Sequence, residues 1–257
     1  MISQKEISSI VRASGILECL SGGIGKITDI SKKLQFNKSS IHRILKTLET
    51  TGLAAQDPVT RQYYLGPFLQ TLASNPLAVH QILIHCAHDQ LEYLRDLSGE
   101  TVGIQIRQGS QRMIIDEAEC RQEMKYYRGK GHSSYIHAGA SGKVLLSELD
   151  DKQWKHFLNT IELVPVGPQT ITDKTMLLQE LKKIRKQGYA TSIDETFEGA
   201  VAIAVPIKNY MCPVALGAVG PENRFRKKMM PLLNEFKKSA DTISNKLKKV
   251  AGIRMNT

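Results

Sequence analysis

The chain has 257 residues, 41% of them hydrophobic, enough to bury two modest cores but not a long series of domains. Its apolar runs are too short to span a bilayer and its amino terminus lacks a signal-peptide pattern, so no membrane partner and a cytoplasmic location are expected. The net charge of +10 suggests an anionic partner, and four scattered cysteines without a C-x-x-C pair suggest neither a zinc ribbon nor a disulfide framework.

In chain order, Ser3 and Glu6 form a capping box for an opening helix whose apolar positions are Ile7, Ile10, Val11, Leu17 and Leu20. Gly22, Gly23 and Gly25 break it. Thr28 then caps a short helix carrying Ile30 and Leu34, and Asn37 caps another in which Ile41, Ile44, Leu45 and Leu48 recur at helical spacing. Because one side of this helix is apolar, the opposite side carries Ser39, His42, Arg43 and Lys46, with Lys38 and Ser40 at its start. Gly52 ends the helix, and Leu53 to Gln56 pairs with Gln62 to Leu65 around Asp57 and Pro58, leaving Arg61 in a wing. Cap, turn, second cap, amphipathic helix and wing in this order read as a winged helix-turn-helix that enters the major groove of double-stranded DNA. A merely solvated basic face and a winged helix that binds only protein are the alternatives.

Gly66 to Asn75 reads as a linker helix ending before Pro76, which divides the chain into residues 1–65, 66–75 and 76–257. A helix follows from about Leu77 to Leu97. Thr101 to Gln108 and Arg112 to Asp116 form a hairpin across Gly109 and Ser110, and Glu123 to Arg128 offers another strand. Helices are expected at Ser141 to Leu149, Asp150 to Leu158 and Lys174 to Gln187, the last stopped at Gly188. Val201 to Ile207 and Val214 to Val219 are central strands. Strands mixed with segregated helices give an α+β class. In the terminal helix Met229, Leu233, Phe236, Ala240, Ile243, Leu247 and Val250 make one apolar stripe.

The charge surplus is uneven. Basic against acidic residues number 9 to 5 over 1–75, 16 to 18 over 76–223 and 10 to 2 over 224–257. Most of it therefore lies on the terminal helix, where Lys237, Lys238, Lys246, Lys248 and Lys249 are either its wet face or a DNA contact.

Two constellations have residue types that can carry chemistry. His80, His85, Cys86 and His88 fall in an amphipathic helix and read as helix surface and core before a metal site. The segment His137 to Lys143 (HAGASGK) fails as a phosphate loop, having His137 and Val144 at positions that need Gly and Ser or Thr. It fails as a nucleophile elbow because Lys143 stands two after Ser141. What remains is a glycine-rich turn opening a helix, which is either an anion site or only a close turn with Lys143 solvated.

Six segments carry a resemblance. They are KSSIHRILKTLETTGL at Lys38 to Leu53, RQYYLG at Arg61 to Gly66, HAGASGKVLL at His137 to Leu146, TITDKTMLLQELKKIRKQGYA at Thr170 to Ala190, DETFEG at Asp194 to Gly199 and GPENRF at Gly220 to Phe225. In these, and in their order, the chain resembles the IclR-type bacterial transcription regulators. The resemblance implies a DNA-binding domain, a linker helix and a carboxy-terminal GAF-like antiparallel sheet flanked by helices, which binds a small effector and supports a homodimer or a dimer of dimers. By the same resemblance the effector pocket is bordered by Ala140 and Ser141, by Ser192 to Ala202 and by the last strand near Gly217 and Val219. Ala202 stands where the family often has cysteine, and the last strand lacks hydroxyl side chains. The expected effector is therefore a carboxylate with a sizeable body, an aromatic one included, in a mainly apolar chamber, with Tyr126 or Tyr135 in contact and Asp194, Glu195 or Glu198 orienting polar groups.

The sequence thus reads as an effector-responsive, DNA-binding regulator without cofactor, metal or catalysis. A serine hydrolase using Ser141 and His137 and a winged-helix protein adaptor are its rivals.

Overall fold

The computed structural model describes residues 7–250, so the capping box expected from Ser3 and Glu6 lies outside the described residues. The chain divides into two compact units, Met1–Val79 and His80–Thr257. None of the described helices is long and apolar enough to cross a membrane.

The first unit is a helix triplet with a two-stranded wing: α1 (Ser8–Ser21), α2 (Ile27–Leu34), α3 (Lys38–Thr50), β1 (Ala54–Gln56) and β2 (Tyr63–Leu65). Its core joins Ile16, Cys19 and Leu20 of α1 to Ile30, Ile41, Leu45, Leu48, Ala54 and Tyr63. The α3 stripe is thus buried as its spacing dictates. On α1 the burial is shifted: Ile7, Ile10 and Val11 are exposed, because the helix meets α2 and α3 only through its later turns. Thr28 is not the cap of α2: Lys26, two residues earlier, holds that position and the helix starts at Ile27. Asn37 does cap α3, accepting from the Ser40 amide at 2.8 Å. Gly52, at φ +72°, closes α3 in the left-handed conformation that glycine tolerates.

Beyond the wing, the linker helix expected over 66–75 is only the short α4 (Phe68–Leu72), and a second short helix, α5 (Pro76–Val79), starts at the proline expected to follow it. The second unit then opens with α6 (Gln81–Ser98), the helix expected from Leu77 being interrupted at His80. Its sheet consists of β3 (Thr101–Gln108), β4 (Gln111–Ala118), β5 (Ser133–Tyr135), β6 (Ala190–Ile193), β7 (Ala200–Ile207) and β8 (Val214–Pro221), in the spatial order β5-β4-β3-β8-β7-β6. All pairings are antiparallel. On one face pack α7 (Ala140–Ser147), α8 (Asp151–Thr160) and α9 (Lys174–Gln187), burying Leu145, Trp154, Leu177 and Leu181 against Ala190, Ala204 and Ala215. Against the other lie α6 and the terminal pair α10 (Glu222–Met229) and α11 (Leu233–Val250).

Three differences from the sequence reading bear on function. Glu123 to Arg128 is not a strand: the sheet edge beside β4 is taken by Ser133–Tyr135, and 119–132 is a loop. The terminal stripe is broken between Met229 and Leu233, and Val250 is exposed, although Phe236, Ala240, Ile243 and Leu247 are buried. Finally, the β3–β4 pairing slips by one residue between Ile104 and Gln105, a bulge that leaves one residue of β4 unmatched. Since cross-strand partners share a face, Arg112, Ile114 and Glu117 all point to the face of Gly103 and Gln105.

Candidate functional site

The first site is the outer side of α3. Burial of Ile41, Leu45 and Leu48 turns Ser39, His42, Arg43 and Lys46 outward, and all four are exposed together with Lys38; Ser40 is half-buried beside the cap. No carboxylate engages Lys38 or Arg43 among the described ion pairs, whereas Lys46 holds Glu49 at 2.9 Å one turn on. The wing is built by Asp57, whose carboxylate accepts from the amides of Val59 (2.7 Å) and Thr60 (3.1 Å). Those bonds hold its carboxyl below the usual range. They turn the chain so that Arg61 takes a left-handed φ of +58° and remains exposed. The exposed donors of α3 and the wing's Arg61 are thus presented by elements that share one core.

Of the five terminal-helix lysines, three have partners within their own unit. Lys246 reaches Asp89 on α6 at 2.7 Å, Lys238 reaches Glu235 at 2.7 Å, and Lys237 lies over the Tyr189 ring. Lys246 and Lys237 tie α11 to the rest of its own domain, while the Lys238 pair lies within the helix. The grouping of His80, His85, Cys86 and His88 is likewise dispersed, Cys86 facing the core and His85 and His88 the exterior. Among the described residues no cluster able to hold a metal ion occurs.

The second site is a cavity of about 370 Å³ between the sheet and the start of α7. One rung of the sheet supplies Ser192, Ala202, Val219 and Thr101 as successive cross-strand neighbours, and the next supplies Gly217 and Gly103. Their small side chains leave the space. A Cβ on Gly217 would lie 2.8 Å from Ser141 Oγ, so this glycine admits the start of α7 to the sheet. Tyr126, Ala140, Ser141, Ser192, Ala202, Gly217 and Val219, all expected on the pocket, do line it. Asp194 does not. At φ +55° it folds its own loop, its carboxylate accepting from the Gly199 amide at 2.6 Å. Tyr135 lies in a neighbouring recess of about 320 Å³, which shares Arg112, Arg128, Ser134, Thr196 and Phe197 with the main cavity.

The chamber is not mainly apolar. Gln105, Arg112, Glu117, Lys125 and Arg128 also line it. Sequence periodicity missed Arg112 and Glu117 together because the bulge alone places both on the cavity face. Arg112 is half-buried, and desolvation of its guanidinium, with Arg128 adding to it, pushes its pKa down to about 10. Its Nη1 donates to Gln105 Oε1 at 2.5 Å, its Nε is buried without a partner, and no described carboxylate forms an ion pair with it. Glu117 is held above the usual carboxyl range by burial, partly offset by the Gly129 and Arg128 amides.

At the start of α7 the expected open anion site is filled by the chain itself. Glu195 Oε2 accepts from the Gly139 amide at 2.9 Å and Ser192 Oγ from the Ala140 amide at 3.2 Å. Lys143 is not solvated: its ammonium is buried on Glu195 Oε1 and donates to Thr191 O at 2.9 Å. Ser141 and His137 are not hydrogen-bonded to each other; His137 Nε2 sits 2.9 Å from Val164 O. The loop wall is fastened from below. Arg224, in the GPENRF segment, grips the buried Glu100 at 2.6 and 2.8 Å and donates to Met124 O at 3.0 Å. Above it Tyr126 stacks on Phe197, and Arg128 lies 4.3 Å from the Phe197 ring centre.

Comparison with known proteins matches both units. Residues 77–245 match the bacterial transcriptional regulator IclR C-terminal model and residues 9–58 the IclR helix-turn-helix domain. The HTH-type transcriptional regulator KipR of Bacillus subtilis is 32% identical over 216 residues, covering 82% of this chain and 84% of that protein. The crystal structure of Thermotoga maritima IclR superposes with a TM-score of 0.62 at 28% identity, over 94% of this chain and 99% of that one. An IclR homologue from Microbacterium hydrocarbonoxydans, solved in complex with 4-hydroxybenzoate, gives 0.61 at 21% identity over 94% and 99%. With a family model covering well over half its length, the chain belongs to the IclR family of bacterial transcriptional regulators, its helix-turn-helix DNA-binding domain followed by the family's effector-binding carboxy-terminal domain.

Proposed function

We propose that this regulator reads duplex operator DNA in the cytoplasm through α3 and the wing, and that an organic anion in the carboxy-terminal cavity shifts the balance between DNA-binding geometries. Ser39, His42 and Arg43 face base edges, while Lys38, Ser40, Lys46 and Arg61 face the backbone. The observation that carries the DNA half is the exposed donor row on a helix whose other side is locked in the core. Ser192, Ala202, Gly217 and Val219 form the cavity floor, and Tyr126, Ala140 and Ser141 its walls. A protein of this fold is known with 4-hydroxybenzoate, which supports a ligand larger than a two- or three-carbon acid in a space of about 370 Å³. A ligand acts here only through unequal affinity for the states it distinguishes. The protein works as a homodimer or dimer of dimers and performs no catalysis.

A mobility shift with the DNA upstream of its own gene tests the reading. Retardation is expected, and its absence favours the protein adaptor. Ala202→Phe fills the cavity and should abolish the response to effector while leaving operator binding intact. Turnover of simple esters, lost on Ser141→Ala, would restore the hydrolase.

A further inference from the structure

Arg112 is a half-buried cation whose Nε is closed off and for which the described residues supply no ion pair. It reaches the cavity from the β4 side, and the glycines of HAGASGK make room for it. A Cβ on Gly139 would lie 3.3 Å from its Nη2, and one on Gly142 would lie 3.1 Å from its Cδ and clash with Ile136 O. The nearby carboxylates are otherwise engaged: Glu117 accepts from the Gly129 amide, and Glu195 holds Lys143 and the Gly139 amide. We propose that the guanidinium of Arg112, with the side-chain amide of Gln105 beside it, anchors the carboxylate of the effector. This rests on the reading of the cavity as the effector site.

The anchor is one-sided. Arginine has donors only, and Gln105, whose carbonyl oxygen is taken by Arg112 Nη1, is left with its NH₂ group. Since Nε is closed off, the acid meets the Nη nitrogens. The other candidate for an acid, the start of α7, has its first amides filled by Glu195 and Ser192. The ligand is therefore a planar carboxylate whose acid lies at the β3–β4 wall and whose body extends toward Tyr126 and Phe197. A carboxamide of the same shape is rejected, because its NH₂ meets donors with nothing to accept.

The test uses the full chain and three acids, benzoate, 4-hydroxybenzoate and pyruvate, each beside its primary amide, read by thermal shift and calorimetric titration. Acids with a ring should stabilise the wild type and their amides should not. Arg112→Met should weaken the acid by roughly 10- to 100-fold without lowering the ligand-free midpoint, since it removes a desolvated charge. Gln105→Glu should raise the ligand-free midpoint and abolish acid binding by placing a carboxylate on the anchor from within. Equal affinity in wild type and Arg112→Met, undiminished binding in Gln105→Glu, or equal binding of acid and amide overturns the anchor and leaves the cavity as the effector site. Failure of every acid and amide to shift the wild type overturns the anchor together with the effector reading beneath it.

Discussion

Replacing Glu195 by glutamine removes the charge that Lys143 is buried against. The side chains are 8% and 2% exposed, so water cannot take over the lost partner. Breaking a buried pair from one side costs about 3–5 kcal/mol, because the remaining charge stays desolvated. Two features place this case at the lower end: Lys143 keeps Thr191 O at 2.9 Å and has Glu180 at 3.8 Å, and the glutamine oxygen still accepts from the Gly139 amide. A loss of about 3 kcal/mol in the second unit is expected, or roughly 6–12 °C in its midpoint. Urea unfolding followed by circular dichroism measures it. Lys143→Met joined to Glu195→Gln should recover most of the loss, since the stranded charge is then gone. A loss under about 1 kcal/mol in the single variant, or a double variant no more stable than the single one, would refute the account of Glu195 as the counter-charge at the start of α7.

Three further outcomes follow from the same structure. Arg43→Ala should cost roughly 1–3 kcal/mol of specific operator binding, measured by fluorescence anisotropy, with fold stability changed by less than about 0.5 kcal/mol; unchanged base preference would remove Arg43 from the groove. Lys38→Ala and Arg61→Ala should each weaken all sequences alike and flatten the salt dependence by about 0.9 for every phosphate that a subunit no longer neutralises, and Lys46→Ala by less, because Glu49 already holds its ammonium. His80 is buried against the Tyr210 hydroxyl at 2.7 Å, and burial lowers its pKa from 6.5. The unfolded chain thus takes up the proton first, so the stability contributed by neutral His80 is full above pH 6.5 and declines as pH falls toward the folded pKa. His137 shifts in the same direction. His80→Gln should therefore reduce, though not remove, the slope of stability between about pH 6.5 and 5; an unchanged slope counts against it.

The helix-turn-helix was readable because its signals are local. Asn37, the spacing of Ile41, Leu45 and Leu48, and Gly52 each act within a few residues, and the structure uses each as its chemistry suggests. The cavity was half readable. Ser192, Ala202, Gly217 and Val219 came from family likeness, and the register shows why they belong together. The filling of the α7 start by Glu195, across 56 positions of sequence, has no local signature. Nor has the exposure of Ile7 and Ile10, since an apolar stripe does not say which of its turns finds a partner.

The slip in the β3–β4 ladder separates what happens at the hairpin's turn from what happens at its base. In an unbroken ladder the side of the last residue dictates the side of the first, so a change at one end commits the other. Here one surplus residue resets the count, and Arg112 near the turn and Glu117 near the base face the same space although they are an odd number of positions apart. Length, rather than residue type, is therefore the variable that decides what this strand shows the ligand. Among related chains, a single gap or insertion between Ile114 and Glu117 would leave the hairpin intact and every aligned side chain chemically familiar. It would still exchange one end of the strand's inward and outward faces.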